Sequence, residues 1–343
     1  MKNHVFFIAL IILLCGCKDH KVPVAQHLGI HNDVLLKTTP VKNQGHSDVC
    51  WIYAMLATIE SEHLMKGDSV NLSPAFYARM MLRDKAYKLF FNNRNCGISM
   101  RGMGMTFIHL INKYGAEPYD SYPDKDDINY KVVARKIEKM ALRYTRLSKG
   151  LRTYQENVEN VLDEDMGYMP AEFVHMLGAQ YTPLEFAHSV CVPDEYLFFT
   201  SFTHHPFGKM FAVESPDNVM NDSCYNVDMK TMMTTIENVL RKGHPVFWEG
   251  DISEPGFSFA DGIAVLPSSC SITQENRQRM FENHQTTDDH AMALVGLAHD
   301  KKGRKYFIAK NSWGTGNALH GFMYLSYEYV AMKTICFGLS RQR

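Results

Sequence analysis

The sequence predicts an α+β fold: a helical lobe from the earlier part of the chain, packed against a β-rich lobe from its end, with a cleft between them. Three observations carry this. Residues 50–64 place Trp51, Ala54, Met55, Thr58 and Ile59 on one face at the helical period. Helical punctuation continues with Ser73-Pro74 as a start and Gly115 as a stop. From Phe247 onward the chain breaks into short β-type runs bounded by Gly, Pro, Asp and Asn. Helices followed by strands argue for segregated layers and against alternating βα units.

Taken in order, residues 1–17 stand apart from the fold. Lys2 supplies a positive start, and residues 5–14 form an apolar run. That run is too short to cross a bilayer, which takes about 20 residues, and fits a secretory signal. Leu14-Cys15-Gly16-Cys17 resembles a bacterial lipobox. It implies cleavage before Cys17 and lipid on its sulfur. The mature protein would then be an exported lipoprotein held to a bacterial membrane, on the periplasmic or surface side. Residues 18–38 read as an extended lead.

The main unit is residues 39–343. Its helical lobe spans about 39–240 and its β lobe about 241–343. Ser47 or Asp48 can cap the helix of residues 50–64. Ser73 opens a second helix that continues over 75–91, with Pro74 in its first turn. A loop covers 92–104, and 106–114 form a third helix stopped by Gly115. Residues 125–163 are charged and helical in pattern, with Val132, Ile137, Met140 and Leu142 along them. They read as a helical insertion of about 125–165, whose charge alone suits a solvated hairpin. Strands are expected at 246–248, 263–266, 293–297, 305–309 and 322–325.

Composition bounds the function. A chain of 343 residues with 45% apolar content buries a large core in one or two packed units. A net charge of −1 and the absence of any lysine–arginine block argue against a nucleic-acid partner. There is no internal repeat and no low-complexity tract. Setting aside Cys15, Cys17 and Cys50 leaves Cys96, Cys191, Cys224, Cys270 and Cys336, an odd set, so at least one stays free. No C-x-x-C pair is present, which argues against a zinc site or a redox dithiol. An exported location permits disulfides, but no pairing is assignable.

The chemistry concentrates in two distant stretches. The first is Gln44-Gly45-His46-Ser47-Asp48-Val49-Cys50-Trp51, with a thiol at a helix start and an amide six residues upstream. The positive end of the helix dipole there favours thiolate, the reactive form. The second is a pair of strands. His290 stands at the mouth of the first, and the other delivers Asn311-Ser312-Trp313-Gly314. Pairing them brings Asn311 beside His290. One imidazole nitrogen then engages Asn311 while the other faces the thiol, the arrangement of nucleophile, base and orienting group. Trp313 would cover the His290–Asn311 hydrogen bond. A lone cysteine is usually structural, and a lone asparagine usually a turn residue. The joint pattern points to nucleophilic catalysis.

With these residues the sequence resembles the papain superfamily of cysteine peptidases, within it the bleomycin hydrolase and aminopeptidase C branch. The likeness runs from about residue 39 to 340. It rests on Pro40-Val41-Lys42-Asn43-Gln44-Gly45, Asn71-Leu72-Ser73-Pro74-Ala75-Phe76-Tyr77 and Lys113-Tyr114-Gly115-Ala116-Glu117-Pro118. It continues in Thr200-Ser201-Phe202-Thr203-His204-His205-Pro206-Phe207, Ser253-Glu254-Pro255-Gly256-Phe257, Asp261-Gly262-Ile263-Ala264 and Gln285-Thr286-Thr287-Asp288-Asp289-His290.

The resemblance implies a β-barrel-like second lobe and an active site in the cleft. It implies peptide substrates, hydrolysis through a Cys50–His290–Asn311 triad and a thioester acyl-enzyme. Gln44 would help the Cys50 N–H bind the oxyanion. Arg101, Gly102, Asp289 and Trp313 would contact substrate. No metal or cofactor is implied. The charged helical insertion would make subunit contacts, so a homo-oligomer is open.

Three departures stand out. Ile52-Tyr53 replace the usual Ser-Phe after Cys-Trp, and Arg101-Gly102 replace a Gly-Gly pair, so that Arg101 is expected to attract an acidic group. The branch's aminopeptidases run a carboxyl-terminal arm into the cleft, whereas here Ser340-Arg341-Gln342-Arg343 follow soon after the last expected strand. An aminopeptidase is the leading expectation. The alternatives are an endopeptidase with an open cleft and a non-catalytic surface lipoprotein that binds through the same scaffold.

Overall fold

The structure, a computed structural model, describes residues 28–92, 97–126, 128–147, 150–170, 173–176 and 178–341. The signal, Cys17, residues 18–27 of the lead and Cys96 lie outside the described residues. Strand β1 (His31–Leu35) precedes helices α1 (Cys50–Lys66), α2 (Pro74–Asn92), α3 (Gly104–Tyr114), α4 (Tyr130–Arg146) and α5 (Leu151–Met166). Next come β2 (Val174–Met176), β3 (Ala179–Tyr181), α6 (Pro183–Val190), β4 (Tyr196–Thr200), β5 (Met210–Ala212) and β6 (Ser223–Asn226). Helix α7 (Met229–Arg241) leads to β7 (Val246–Gly250), β8 (Phe257–Ser258) and β9 (Ile263–Ala264). The chain closes with α8 (Gln274–Glu282), β10 (His290–His299), β11 (Lys305–Lys310), β12 (Phe322–Ser326), α9 (Tyr327–Lys333) and β13 (Thr334–Ser340).

Eleven strands share one sheet, in the order β5-β6-β4-β13-β7-β10-β11-β12-β9-β8, with β1 paired along β10. Its two ends do not meet, so no closed barrel forms among the described residues. The α+β architecture is as expected, with two corrections. Strands β4, β5 and β6 join this sheet from within the stretch assigned to the helical lobe. Part of the lead, β1, is extended as expected but belongs to the sheet, pairing Leu35 with Gly296.

Helix α1 is buried continuously from Trp51 to Glu62. A helix buried on all sides threads a core rather than lying on it. It packs across β10 and β7 on one side and against α2 and α3 on the other. It ends at Gly67, whose φ of 95° only glycine adopts readily and whose N–H caps the last turn. Inside it, the buried Glu60 accepts hydrogen bonds from Thr39 Oγ1 at 2.5 Å, Lys42 Nζ at 2.6 Å and Leu72 N at 2.8 Å. The segment leading to Gln44 is thereby pinned to the helix that carries Cys50.

Helix α2 starts as its sequence dictates, with the Ser73 hydroxyl accepting from Phe76 N at 3.0 Å. Helices α4 and α5 correct the reading of residues 125–163 as a solvated hairpin. Their inner faces, including Val133, Ile137, Val158 and Leu162, are buried in the core. Arg79 of α2, itself buried, reaches Glu159 at 2.8 Å and Asp163 at 2.7 Å on α5. Only the outer faces, with Val132 and Leu142, meet solvent. No described helix is long and apolar enough to cross a membrane.

Candidate active site

Cys50 is the first residue of α1. The expected side-chain cap is absent: Val49 holds the cap position and makes no side-chain hydrogen bond. Ser47 instead accepts from Tyr130 N at 3.0 Å, and Asp48 pairs with Lys131 at 2.8 Å, so both are drawn toward α4. The backbone N–H groups of Ala291 and Trp51 face the Cys50 sulfur. Helix α1 and strand β10 thus bring the nucleophile candidate beside the residue that follows His290.

His290 is buried at the start of β10, and Asn311 follows the end of β11. Antiparallel pairing, with Ala293 opposite Lys310, sets the two side by side. His290 Nε2–H donates to Asn311 Oδ1 at 2.8 Å, which leaves Nδ1 for the cleft. The ring centroid of Trp313 lies 4.6 Å from that of His290, covering it as expected. Asn311 is fixed in turn, since its Oδ1 also accepts from Ser312 N at 2.7 Å and its backbone N–H donates to Gly321 O.

Gln44 joins the same constellation. Its Oε1 accepts from Ser312 Oγ at 2.6 Å, and its Nε2 donates one hydrogen to Ser47 O at 2.7 Å. Those two partners assign the amide's orientation and leave the second Nε2 hydrogen unclaimed. Its backbone N–H donates to Ser312 O at 2.8 Å, tying the Gln44 loop to the Asn311 segment.

On the helical side, Trp51 Nε1–H donates to Met100 O at 3.1 Å. A side chain at Gly102 would sit 3.0 Å from the Trp51 ring, so this glycine is required by packing behind the nucleophile. Arg101 does attract an acidic group, and that group is the protein's own Asp217. Its Nε donates to Asp217 at 2.6 Å, and its Nη2 donates to the backbone carbonyl of Asp288 at 2.7 Å. It therefore bridges the two sides of the cleft. Asp289 is exposed and accepts from Thr287 Oγ1. Arg101, Asp288 and Asp289 line a cavity of about 680 Å³ that also includes Glu214 and Ser215.

Burial at this site runs against the thiolate that the helix start favours. Burial pushes the Cys50 thiol well up, and the Glu249 and Asp288 carboxylates push the same way. Burial pushes His290 down to about 4, opposed by its hydrogen bond to Asn311. Burial thus disfavours charge on each of the two groups taken singly. Burial also raises Asp288 to about 7, with Asp217 adding to it and Ser215 opposing. Glu249 is raised well above the carboxylate range by burial and then by Asp288 and Asp217.

Sequence reading did not single out Glu249, Asp217 or Ser215. The one available signal was a lone charge closing the apolar run Val246-Phe247-Trp248. Only register places Glu249 opposite Ala291.

One metal-type cluster lies at the cavity's rim among the described residues. His204, His205 and Glu214 bring ligand atoms within 4.8 Å of one another. Gln278 argues against an ion there. Its Oε1 accepts from Thr203 N at 2.6 Å, so its amide nitrogen faces His204 Nδ1 at 3.0 Å as a donor. The His204 proton then sits on Nε2, donated to Glu214 at 2.9 Å, where a metal would need a lone pair.

Comparison with known proteins agrees with this geometry. A family model described as Peptidase C1-like family matches residues 163–337, about half of the chain, including His290 and Asn311. Aminopeptidase G of Lactobacillus delbrueckii subsp. lactis is 22% identical over 86% of this chain and 79% of its own length. The mitochondrial cysteine proteinase 1 of Saccharomyces cerevisiae is 22% identical over 88% of this chain and 74% of its own. In fold, the crystal structure of PepW from Lactobacillus rhamnosis matches with a TM-score of 0.67 at 16% identity, covering 91% of this chain and 82% of that one. A thiol, an asparagine-held histidine and these likenesses converge, and the chain belongs to the Peptidase C1-like family, the papain-like cysteine peptidases.

Proposed function

We propose that the protein hydrolyses peptide bonds through Cys50, His290 and Asn311, and that it removes residues from peptide amino termini. The observation that carries the catalytic part is the 2.8 Å bond from His290 Nε2 to Asn311 Oδ1. It leaves the other nitrogen of a buried imidazole open to a partner, and the Cys50 sulfur meets the backbone of the next residue, Ala291. The aminopeptidase part is supported by likeness to aminopeptidase G.

Burial disfavours a separated charge on either group, so the proposed attack is coupled to proton transfer. His290 Nδ1 takes the proton from Cys50 as sulfur bonds to the substrate carbonyl carbon. The carbonyl oxygen becomes an oxyanion, held by the Cys50 N–H and the free Nε2 hydrogen of Gln44. The tetrahedral species collapses, the C–N bond breaks, and the imidazolium returns its proton to the leaving amine. Water, deprotonated by His290, then hydrolyses the thioester. Asn311 and Trp313 hold the ring's tautomer and keep water off its outer bond. Gly102 and Asp289 offer backbone and carboxylate contacts to the bound peptide. The amino-terminal lipobox supports an exported enzyme tethered through Cys17, which intact-mass measurement of the mature protein would read.

Matched fluorogenic substrates with free and acetylated amino termini test the proposal. Cleavage of the free form, lost in Cys50→Ala and His290→Ala, is expected. Cleavage of acetylated peptides alone would make it an endopeptidase. No cleavage of either would favour a binding module.

A further inference from the structure

Beside the nucleophile the protein buries more carboxyl groups than it pairs with cations. Asp217, Glu249 and Asp288 are each more than nine-tenths buried, and they influence one another's ionisation. One cation, Arg101, enters this group. Its Nε clasps the carboxylate of Asp217 at 2.6 and 2.9 Å, and its Nη2 goes to the carbonyl of Asp288, not to its carboxylate. The Asp288 carboxylate has only a hydroxyl, Ser215 Oγ at 2.8 Å. The Glu249 carboxylate accepts only a long 3.5 Å contact from Gly104 N. Among the described residues neither of these two buried carboxyl groups has a cation paired to it, so ionising them is costly unless something else supplies the counter-charge.

Their positions say what could supply it. Glu249 lies opposite Ala291 in the sheet, on the strand face that meets α1. Asp288 sits two residues before His290 and lines the 680 Å³ cavity open to solvent. Both carboxylates act on the Cys50 thiol. A peptide whose carbonyl lies at Cys50 would run toward the cavity that Asp288 lines, with Glu249 buried behind it. We propose that Asp288 and Glu249 form a recognition site for a substrate cation, an ammonium or guanidinium, beside the cleaved residue. The proposal rests on the reading of Cys50 as nucleophile and supplies the specificity device for that same cleft. Either the α-amine of the substrate's first residue or a basic side chain carries this chemistry.

The test separates binding from turnover. Calorimetric titration of the Cys50→Ala protein with leucinamide, N-acetyl-leucinamide and N-acetyl-lysinamide reads cation recognition without catalysis. The expected result is at least tenfold tighter binding of a cationic ligand than of N-acetyl-leucinamide. Leucinamide winning assigns the α-amine, and N-acetyl-lysinamide winning assigns the side chain. The preference should fall toward unity when Asp288→Asn or Glu249→Gln is added, with circular dichroism confirming the fold. Equal or undetectable binding of all three ligands, or a preference untouched by both substitutions, would overturn the proposal. Coumarin amides of the same ligands, given to the protein with Cys50 intact, test the catalytic reading separately. Binding preference without Cys50-dependent turnover would sink that reading and leave the cation site standing.

Discussion

At the scale of single residues, the site depends on how few hydrogens are left uncommitted. Gln44 gives one Nε2 hydrogen to Ser47 and keeps one, so it can act on an oxyanion without moving. Gln44→Ala should lower kcat by roughly 10²–10³ while leaving KM within a few-fold, as steady-state kinetics would show. His290 has a pH signature in stability. Its folded-state value near 4 lies below the ordinary 6.5, so between those values the unfolded chain binds a proton that the folded chain does not. Stability at this residue therefore falls as pH drops from 6.5 toward 4. Denaturant melts of the wild type should lose more stability across that window than melts of His290→Gln. Cys50, His290, Asn311 and Gln44 were all legible in the sequence, because their side-chain chemistry is rare in combination. The resting charge was not. Helix position argued for thiolate, while burial beside Glu249 and Asp288 argues more strongly for thiol.

At the scale of elements, α1 is positioned by polar clamps inside an apolar core. Glu60 links the segment before Gln44, the start of α2 and α1 itself, with Lys42 at 2.6 Å as its ion partner. Both partners are largely buried, and removing one leaves the other uncompensated. Glu60→Ala should cost about 3–5 kcal/mol in urea unfolding. Helix limits were readable wherever local chemistry sets them, as at Ser73-Pro74 and at Gly115. The cap of α1 was misread because Ser47 and Asp48 are recruited by Tyr130 and Lys131, contacts between segments some 80 residues apart. Strands β4 to β6 were missed for a similar reason. They are short pieces added to a sheet whose other strands come from the end of the chain, and their burial is decided by that sheet.

At the scale of the whole molecule, one open sheet packs against a buried helix, and Arg101 ties the segment before α3 to Asp217 and Asp288 across the cleft. The fold class and the family were legible, since they rest on element order and on a joint set of motifs. The cleft's acidity was not, because Asp217, Glu249 and Asp288 come from three distant segments. That acidity sets function against stability. Asp288 is raised to about 7 from 3.8, so its buried charge weakens the fold as pH rises through that range and is neutralised below it. Asp288→Asn should therefore raise the melting temperature at pH 8 and leave it nearly unchanged at pH 3.5, by calorimetry.

The covalent step is the most direct point of attack. During turnover of an activated aminoacyl ester, acid quenching followed by intact-mass spectrometry and peptide mapping reads any acyl group held on the protein. The expected result is one acyl group on the peptide containing Cys50, absent in Cys50→Ala and slow to form in His290→Ala. Turnover with Cys50 never acylated, or undiminished in Cys50→Ala, would contradict the peptidase mechanism.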